Sequence, residues 1–191
     1  MQDKKLYTAL LLALIYLSCV NTPTPVKNTD PKEFVALGDS ISTQVQAVLL
    51  KNVSEALGKG GPVYAIDYCN VNAIPLTDSM SKAYHVEIQR LSDKNRNPVN
   101  AIISDSDQKA WSKIQSDKET FAELNETGEV LYYKPIFTGM PACMKCHGGE
   151  QDIASDALEL LGEKYPEDKA TGYRMGDLRG MWKIKFNKTT N

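Results

Sequence analysis

The sequence predicts an α+β fold, with a long N-terminal helix and an antiparallel β-sheet flanked by shorter helices. Apolar residues in the first part of the chain recur every three or four positions, which is the period of an amphipathic helix. Later segments alternate apolar and polar residues, which is the period of a half-buried strand. Because helices come first and the strands are separated by helices, we expect the sheet to be antiparallel.

The first helix is predicted over residues 31–57. Asp30 and Pro31 are typical of the N-cap and the first helical position. One apolar face follows, made of Phe34, Leu37, Ile41, Val45, Val48, Leu49, Val53 and Leu57. The glycines and the proline at positions 58–62 end this helix. A second helix is predicted over residues 63–73, where Pro75 stops it.

In the middle of the chain, alternation predicts a strand over residues 85–91, with Val86, Ile88 and Arg90 on one face. A polar turn follows over residues 92–100. The next helix is expected to begin at Ser104 or Ser106 and to continue through Leu124.

The last third of the chain predicts two further strands. The first covers residues 129–138 and is interrupted by Pro135. A helix is expected over residues 154–161. The final strand, residues 180–186, alternates cleanly between apolar and polar side chains.

Residues 1–18 are predicted to be a signal peptide. Two lysines precede an apolar run over residues 6–17, which has the length of a signal-peptide core and is too short to span a bilayer. The run ends at Ser18 and Cys19, which resembles a bacterial lipobox. We therefore expect Cys19 to become the lipidated N-terminus of an exported, periplasmic or cell-envelope lipoprotein anchored to the membrane.

A polar segment over residues 19–29 is expected to tether the domain, residues 30–188, to that anchor. Tyr16 stands where a lipobox usually has an aliphatic residue. The alternative is therefore an ordinary signal peptide cut near Ser18, with Cys19 incidental.

Composition sets limits on size and partners. The 191 residues suffice for one domain of ordinary size. The 22 Lys and Arg residues nearly balance 24 Asp and Glu residues, and they form no basic stripe, so we expect no nucleic-acid partner.

Cys143, Cys146 and His147 have the C-x-x-C-H spacing that attaches a c-type haem. Two thiols at this spacing can each add across one vinyl group of the same porphyrin, and the adjacent histidine can bind the iron. A thioredoxin-like redox pair would follow a strand of a βαβ unit, and a zinc site would need a second Cys/His pair. The sequence shows neither. It predicts one covalent haem c, with His147 as the proximal ligand.

The remaining cysteine, Cys69, is the candidate distal ligand of the iron. Of four cysteines, two are assigned to the haem and one to the lipid, which leaves Cys69 alone in an oxidising compartment. A ferric iron lowers the pKa of a thiol enough to hold it as thiolate. The alternatives are a buried structural cysteine, or His85 or Met140 as the ligand, since Met144 inside the motif cannot reach the far face.

Four segments carry a resemblance to a known family: residues 61–66 leading to Cys69, residues 96–100, residues 143–149 and residues 165–180. They resemble the c-type haem domain with a PAS-like fold, first described in cyanobacteria and long catalogued as a domain of unknown function. The resemblance implies a PAS-like fold over residues 30–188 and a cysteine thiolate, here Cys69, opposite the proximal histidine. The family occurs alone and as the sensor part of histidine kinases and chemoreceptors.

Arg96 and Arg179 are candidates to bind the haem propionates, because a planar guanidinium binds a carboxylate through two hydrogen bonds. The alternative is a structural ion pair with Asp168 or Asp177.

Two functions follow from these residues. If the protein fills both axial positions of the iron, no open site remains for substrate, so an enzyme is not expected. The first function is a haem-based redox or gas sensor, in which reduction or a ligand such as NO or CO displaces Cys69 and the signal passes to a partner protein. The second is a membrane-tethered electron-transfer cytochrome with a redox partner. A module that has lost its haem is disfavoured by the intact motif.

Overall fold

The computed structural model describes residues 30–187. The signal peptide, Cys19 and the tether lie outside the described residues, as does the last position of the predicted domain. The fold is α+β, with one long helix and a four-stranded antiparallel sheet, as the sequence predicts. After a 3-10 turn at Pro31–Phe34, the elements are α1 (Val35–Tyr84), β1 (Val86–Leu91), α2 (Asp105–Asp117), β2 (Phe121–Leu124), β3 (Val130–Phe137), α3 (Pro141–His147), α4 (Ser155–Lys164) and β4 (Leu178–Phe186).

The strands are arranged in the order β1-β4-β3-β2, so the last strand of the chain is central. Ile184 of β4 stands opposite Ile88 of β1 on one side and opposite Tyr132 of β3 on the other. The alternation predicted for residues 180–186 therefore supplies both faces of the sheet. On one face, α1 packs through Ile41 and Val45.

On the other face, α2 packs through Ala110, Trp111 and Ile114 against Leu131 and Met181. Ser104 rather than Ser106 caps this helix, since its hydroxyl accepts a hydrogen bond from the Asp107 amide at 3.1 Å. Both sheet faces are thus covered by helices, as the sequence predicts for a sheet flanked by helices.

The first and second predicted helices are two arms of α1, separated at Gly60 and Gly61. The first arm is residues 35–59 and the second arm is residues 62–84. Gly61 has φ +68° and ψ −162°, a backbone conformation that side chains exclude, so the break depends on glycine. The predicted end of the first helix is confirmed.

The predicted end of the second helix at Pro75 is wrong, because the second arm continues to Tyr84. A proline costs a helical hydrogen bond, but packing can offset that loss. Leu76, Met80 and Tyr84, which follow the proline, pack against the sheet core. His85 then ends the arm with φ 54°, so β1 begins at Val86.

Two further predictions are corrected by strand pairing. The third helix stops at Asp117 rather than Leu124, because Phe121 pairs with Tyr133 and their rings stack at 5.2 Å. Pro135 does not interrupt β3. The partner strand β2 begins at Phe121, opposite Tyr133, and does not reach Pro135. On that side β3 therefore has an unpaired edge at Pro135, where a missing N–H is tolerated. Within residues 30–187, no helix combines the length and apolarity that crossing a membrane requires.

Candidate haem-binding site

The C-x-x-C-H motif forms most of α3, a short helix with Pro141 at its start. Residues three positions apart lie on the same face of a helix, so Cys143 and Cys146 point to one side. Both thiols are free, both are half-buried, and both line one large cavity. His147, the last residue of α3, lines the same cavity.

The His147 ring is oriented by a backbone carbonyl. Its Nδ1 lies 2.7 Å from the carbonyl oxygen of Ala170, which can only accept, so Nδ1 carries the proton and donates it. Nε2 has no hydrogen-bond partner among residues 30–187. Burial, followed by the charges of Arg96 and Arg179, holds the pKa of His147 well below its usual value. A neutral ring with one nitrogen anchored to a carbonyl is the arrangement of a metal-ligating histidine.

A segment after α4, residues 168–173, forms hydrogen bonds with the end of the C-x-x-C-H motif. We call it the strap. Its backbone amides at Gly172 and Tyr173 donate to the carbonyls of Gly148 and His147 at 2.7 and 2.9 Å. The strap also supplies the Ala170 carbonyl that binds the His147 ring. The orientation of the motif is therefore set by a segment that lies some twenty residues further along the chain.

The cavity has a volume of about 700 Å³, within the range of sites that bind an organic cofactor. It lies between the two arms of α1, the strands β1 and β4, the end of β3, and α3. Much of its wall is apolar, with contributions from Leu49, Leu50, Val53, Ile66, Ile136 and Trp182. A large apolar space beside the two thiols fits the body of a porphyrin.

Cys69 lies on the second arm and lines the same cavity as His147. Burial raises the pKa of its thiol, while the nearby charges of Arg90 and Arg96 oppose that shift. Burial is the larger effect, so the pKa of the Cys69 thiol is raised overall. Across the described part of the chain, no three His, Cys, Asp or Glu side chains are grouped tightly enough to hold a bare metal ion. Cys69, Cys143, Cys146 and His147 all line the one cavity.

The competing ligands are placed differently. His85 ends α1, its carbonyl accepts a hydrogen bond from Asn187, and it is not part of the cavity wall. Met140 does line the cavity and keeps 40% of its surface exposed. Met144, inside the motif, does not line it.

Arg96 forms the ion pair with Asp168 that the sequence left open as an alternative. Its Nε and Nη2 both lie 3.0 Å from Asp168 Oδ2, and the two side chains are only 13% and 9% exposed. Nη2 also donates to the Cys146 carbonyl at 2.6 Å. Arg96 therefore joins the strap to the haem motif, while it also lines the cavity.

Arg179 lines the cavity without an ion pair to Asp177 or to any other described residue. Its Nη1 donates to the Ser92 hydroxyl and the Lys94 carbonyl, each at 3.1 Å. Its guanidinium lies 5.3 Å from the centre of the Tyr173 ring. Neutral oxygens and an aromatic face hold this side chain.

Arg90 is a cavity residue that the sequence analysis did not select. It stands opposite Trp182 in the β1–β4 ladder, and its guanidinium lies 6.0 Å from the centre of that ring. The signal was present in the sequence, because Arg90 shares the apolar face of its strand with Val86 and Ile88. A charged side chain on the buried face of a strand is destabilising unless a counter-ion or a hydrogen-bond partner compensates it.

Comparison with known proteins agrees with this description. The model of the Tll0287-like family matches residues 26–187. The crystal structure of the cyanobacterial heme-protein Tll0287 is similar, with a TM-score of 0.63 and 23% sequence identity over 85% of this chain and 99% of that one. At that identity the similarity shows the shared fold. No curated protein matches. Because the family model spans most of the sequence, the chain belongs to the Tll0287-like family.

Proposed function

We propose that this protein is an extracytoplasmic monohaem c-type haem protein with a redox role, acting as a haem-based redox or small-gas sensor. One observation carries the proposal: an intact C-x-x-C-H motif with an anchored His147 faces a cavity of about 700 Å³ that Cys69 also lines. The similarity to a structure described as a heme-protein supports the same conclusion. We further propose that the sheet with its long helix is of the PAS type.

Each residue then has a defined task. Cys143 and Cys146 hold the porphyrin covalently, and His147 presents its free Nε2 to the iron. Cys69 would supply a thiolate to the iron, whose positive charge would lower the thiol pKa that burial raises in the chain alone. The bound haem supplies an iron that takes up and releases one electron. With both axial positions taken, we propose no enzymatic activity.

The position of Cys69 favours sensing over simple electron transfer. The second arm, which carries Cys69, follows the break at Gly60 and Gly61, and its Ile66 packs against α4. Release of Cys69, on reduction or on binding of NO or CO, would remove one attachment of this arm to the cavity. A helix that is separated from the first arm by a glycine break and leads directly into β1 is suited to pass such a change to a signalling partner.

Electron transfer is the second candidate, and the cavity entrance favours it. Phe137 and Met140 line the cavity and remain 42% and 40% exposed. An edge of the cofactor near these side chains would lie close to the surface, where a redox partner protein could dock. This function needs no movement of the second arm.

Absorption spectra of the haem-loaded protein test the ligand assignment. The ferric form is expected to show the Soret band of a thiolate-ligated haem, and Cys69→Ser should change it. Ala73→Ser is the matched control, because it places the same hydroxyl on the same arm in the same cavity wall. An unchanged spectrum in Cys69→Ser would exclude Cys69 as a ligand, whereas wild-type protein without covalent haem would overturn the whole proposal.

The ferrous form decides between the two functions. Binding of CO or NO with loss of the thiolate band would favour sensing. Rapid, reversible reduction by a soluble carrier with unchanged axial ligation would favour electron transfer.

We also propose export and attachment to the membrane through a lipid on Cys19. Cys19→Ser should move the protein from the membrane fraction to the soluble fraction. A variant that stays in the membrane fraction would contradict the lipid anchor.

A further inference from the structure

Two arginine side chains on neighbouring strands converge on the cavity from the sheet side. Arg90 is on β1 and Arg179 is on β4, which pair with each other. Both line the cavity. Burial, and next the charge of Arg179, lower the pKa of Arg90, which is the effect of two positive charges close together in a poorly solvated place.

Neither arginine is neutralised by the chain. In the part that the structure describes, Arg90 makes no hydrogen bond or ion pair, and its guanidinium lies 6.0 Å from the centre of the Trp182 ring. Arg179 donates only to neutral oxygens, and its Nε is buried without a partner among residues 30–187. A half-buried charge without a counter-ion costs folding free energy, so an anion from outside the chain that binds this wall would stabilise it.

Arg96 differs from these two although it lines the same cavity. Its guanidinium is already engaged by the Asp168 carboxylate and the Cys146 carbonyl. It has a structural task at the motif, and its charge is compensated. The guanidiniums that lack an anionic partner in the described chain are therefore those of Arg90 and Arg179.

We infer that Arg90 and Arg179 form the carboxylate-binding end of the cavity and hold the two propionates of the haem. The inference rests on the proposed function and adds Arg90 to the site. Two unpaired guanidiniums match two carboxylates, and each guanidinium can donate two parallel hydrogen bonds to one of them. The thioether edge of the cofactor is then fixed by α3 and the propionate edge by β1 and β4.

The test uses the haem-loaded protein and four variants: Arg90→Gln, Arg179→Gln, Arg90→Lys and Arg174→Gln. Arg174 is the matched control, an exposed arginine outside the cavity wall. The readout is the propionate bending band in the low-frequency resonance Raman spectrum, together with the amount of covalent haem per chain. We expect the band to shift in Arg90→Gln and Arg179→Gln and to stay unchanged in Arg174→Gln.

An unshifted band in both glutamine variants, with haem attached, overturns the inference and leaves the proposed function standing. If Arg90→Gln does not fold, Arg90→Lys decides, because it keeps the charge and removes the two parallel hydrogen bonds. A shifted band in that variant supports the inference, and an unshifted band overturns it. Wild-type protein without haem is a separate result that overturns the proposed function itself.

Discussion

The two halves of this molecule are stabilised in different ways. The sheet region, made of the four strands with the first arm of α1 and α2, is a packed apolar core in which Val45, Ile114 and Ile184 have no exposed surface. The cavity region comprises the second arm, α3, α4 and the strap. Its small apolar cluster around Ile66 and Leu161 borders a space lined by arginines, cysteines and a histidine.

This difference locates the space that a cofactor would fill. The sheet region closes on itself, since its side chains fill the space between sheet and helices. The cavity region borders a large space, into whose wall β1 and β4 contribute Arg90 and Arg179, two half-buried arginines without an ion pair in the described chain. A ligand that is apolar in its body and anionic at one edge would complete it.

Removing the two motif cysteines should have the largest effect and should be confined to the cavity region. In Cys143→Ala/Cys146→Ala we expect complete loss of covalent haem, because no other cysteine lies on α3, while the sheet stays folded. Intact-protein mass measures the haem, and far-ultraviolet circular dichroism measures the fold. Met144→Ala, in the same helix, should keep its haem. Covalent haem in the double variant would contradict the assignment.

Arg96→Ala should cost about 3–5 kcal/mol of unfolding free energy, as expected when one member of a buried pair is removed. Asp168 would be left as a buried, unpaired carboxylate, and the Cys146 carbonyl would lose its donor. Urea unfolding measures the change. The control is Lys113→Ala, which breaks the exposed pair with Asp117 and should cost much less, because water screens that pair. Equal losses in the two variants would mean that the strap is not held by Arg96.

Gly38→Ala tests the packing of the sheet region. A Cβ at position 38 would overlap the ring of Tyr132, whose side chain is fully buried, so we expect a loss of about 1–3 kcal/mol. Gly58→Ala on the same arm meets nothing and should be neutral or stabilising, because alanine is the better helix former. Unfolding temperature separates the two. Equal behaviour would show that the first arm is less closely packed than described.

Acid should act on the cavity region through His147. Burial holds the pKa of His147 well below its usual value, so below about pH 6.5 the unfolded chain binds a proton that the folded chain does not. The haem-free chain should therefore lose stability as the pH falls below that value, and His147→Gln should flatten this dependence. Unfolding free energies measured across pH check it, and an equal acid slope in His147→Gln would contradict it.

The sheet responds at the other end of the scale. Burial raises the pKa of Tyr132 to about 12, so the folded chain keeps a proton that the unfolded chain releases above about pH 10. The free energy of unfolding should fall between about pH 10 and about pH 12, and Tyr132→Phe should make this fall smaller. A profile unchanged by that substitution would assign the alkaline sensitivity to another group.

Sequence patterns predicted the elements where local periodicity matches packing. Residues 180–186 alternate because Trp182, Ile184 and Phe186 enter the core beneath α1, whereas Lys183 and Lys185 on the other face reach carboxylates. The glycines at 60 and 61 end a helix whatever surrounds them. The errors occur where contacts distant in the sequence decide the outcome. Pro75 does not end its helix because the following turns pack on the sheet, and residues 121–124 form a strand because β3 is available to pair with them.

The sequence by itself determined the chemistry of this protein: the C-x-x-C-H motif, the leftover Cys69 and the amphipathic periods that define an α+β chain. Spacing along the chain is enough for these, since each depends on neighbouring residues or on counting. Only the tertiary structure decided which arginine is paired, which two are not, and that Cys69 and His147 share one cavity. Those facts depend on the strap, β1, β4 and the second arm meeting in space, and distances between such remote segments are set by packing.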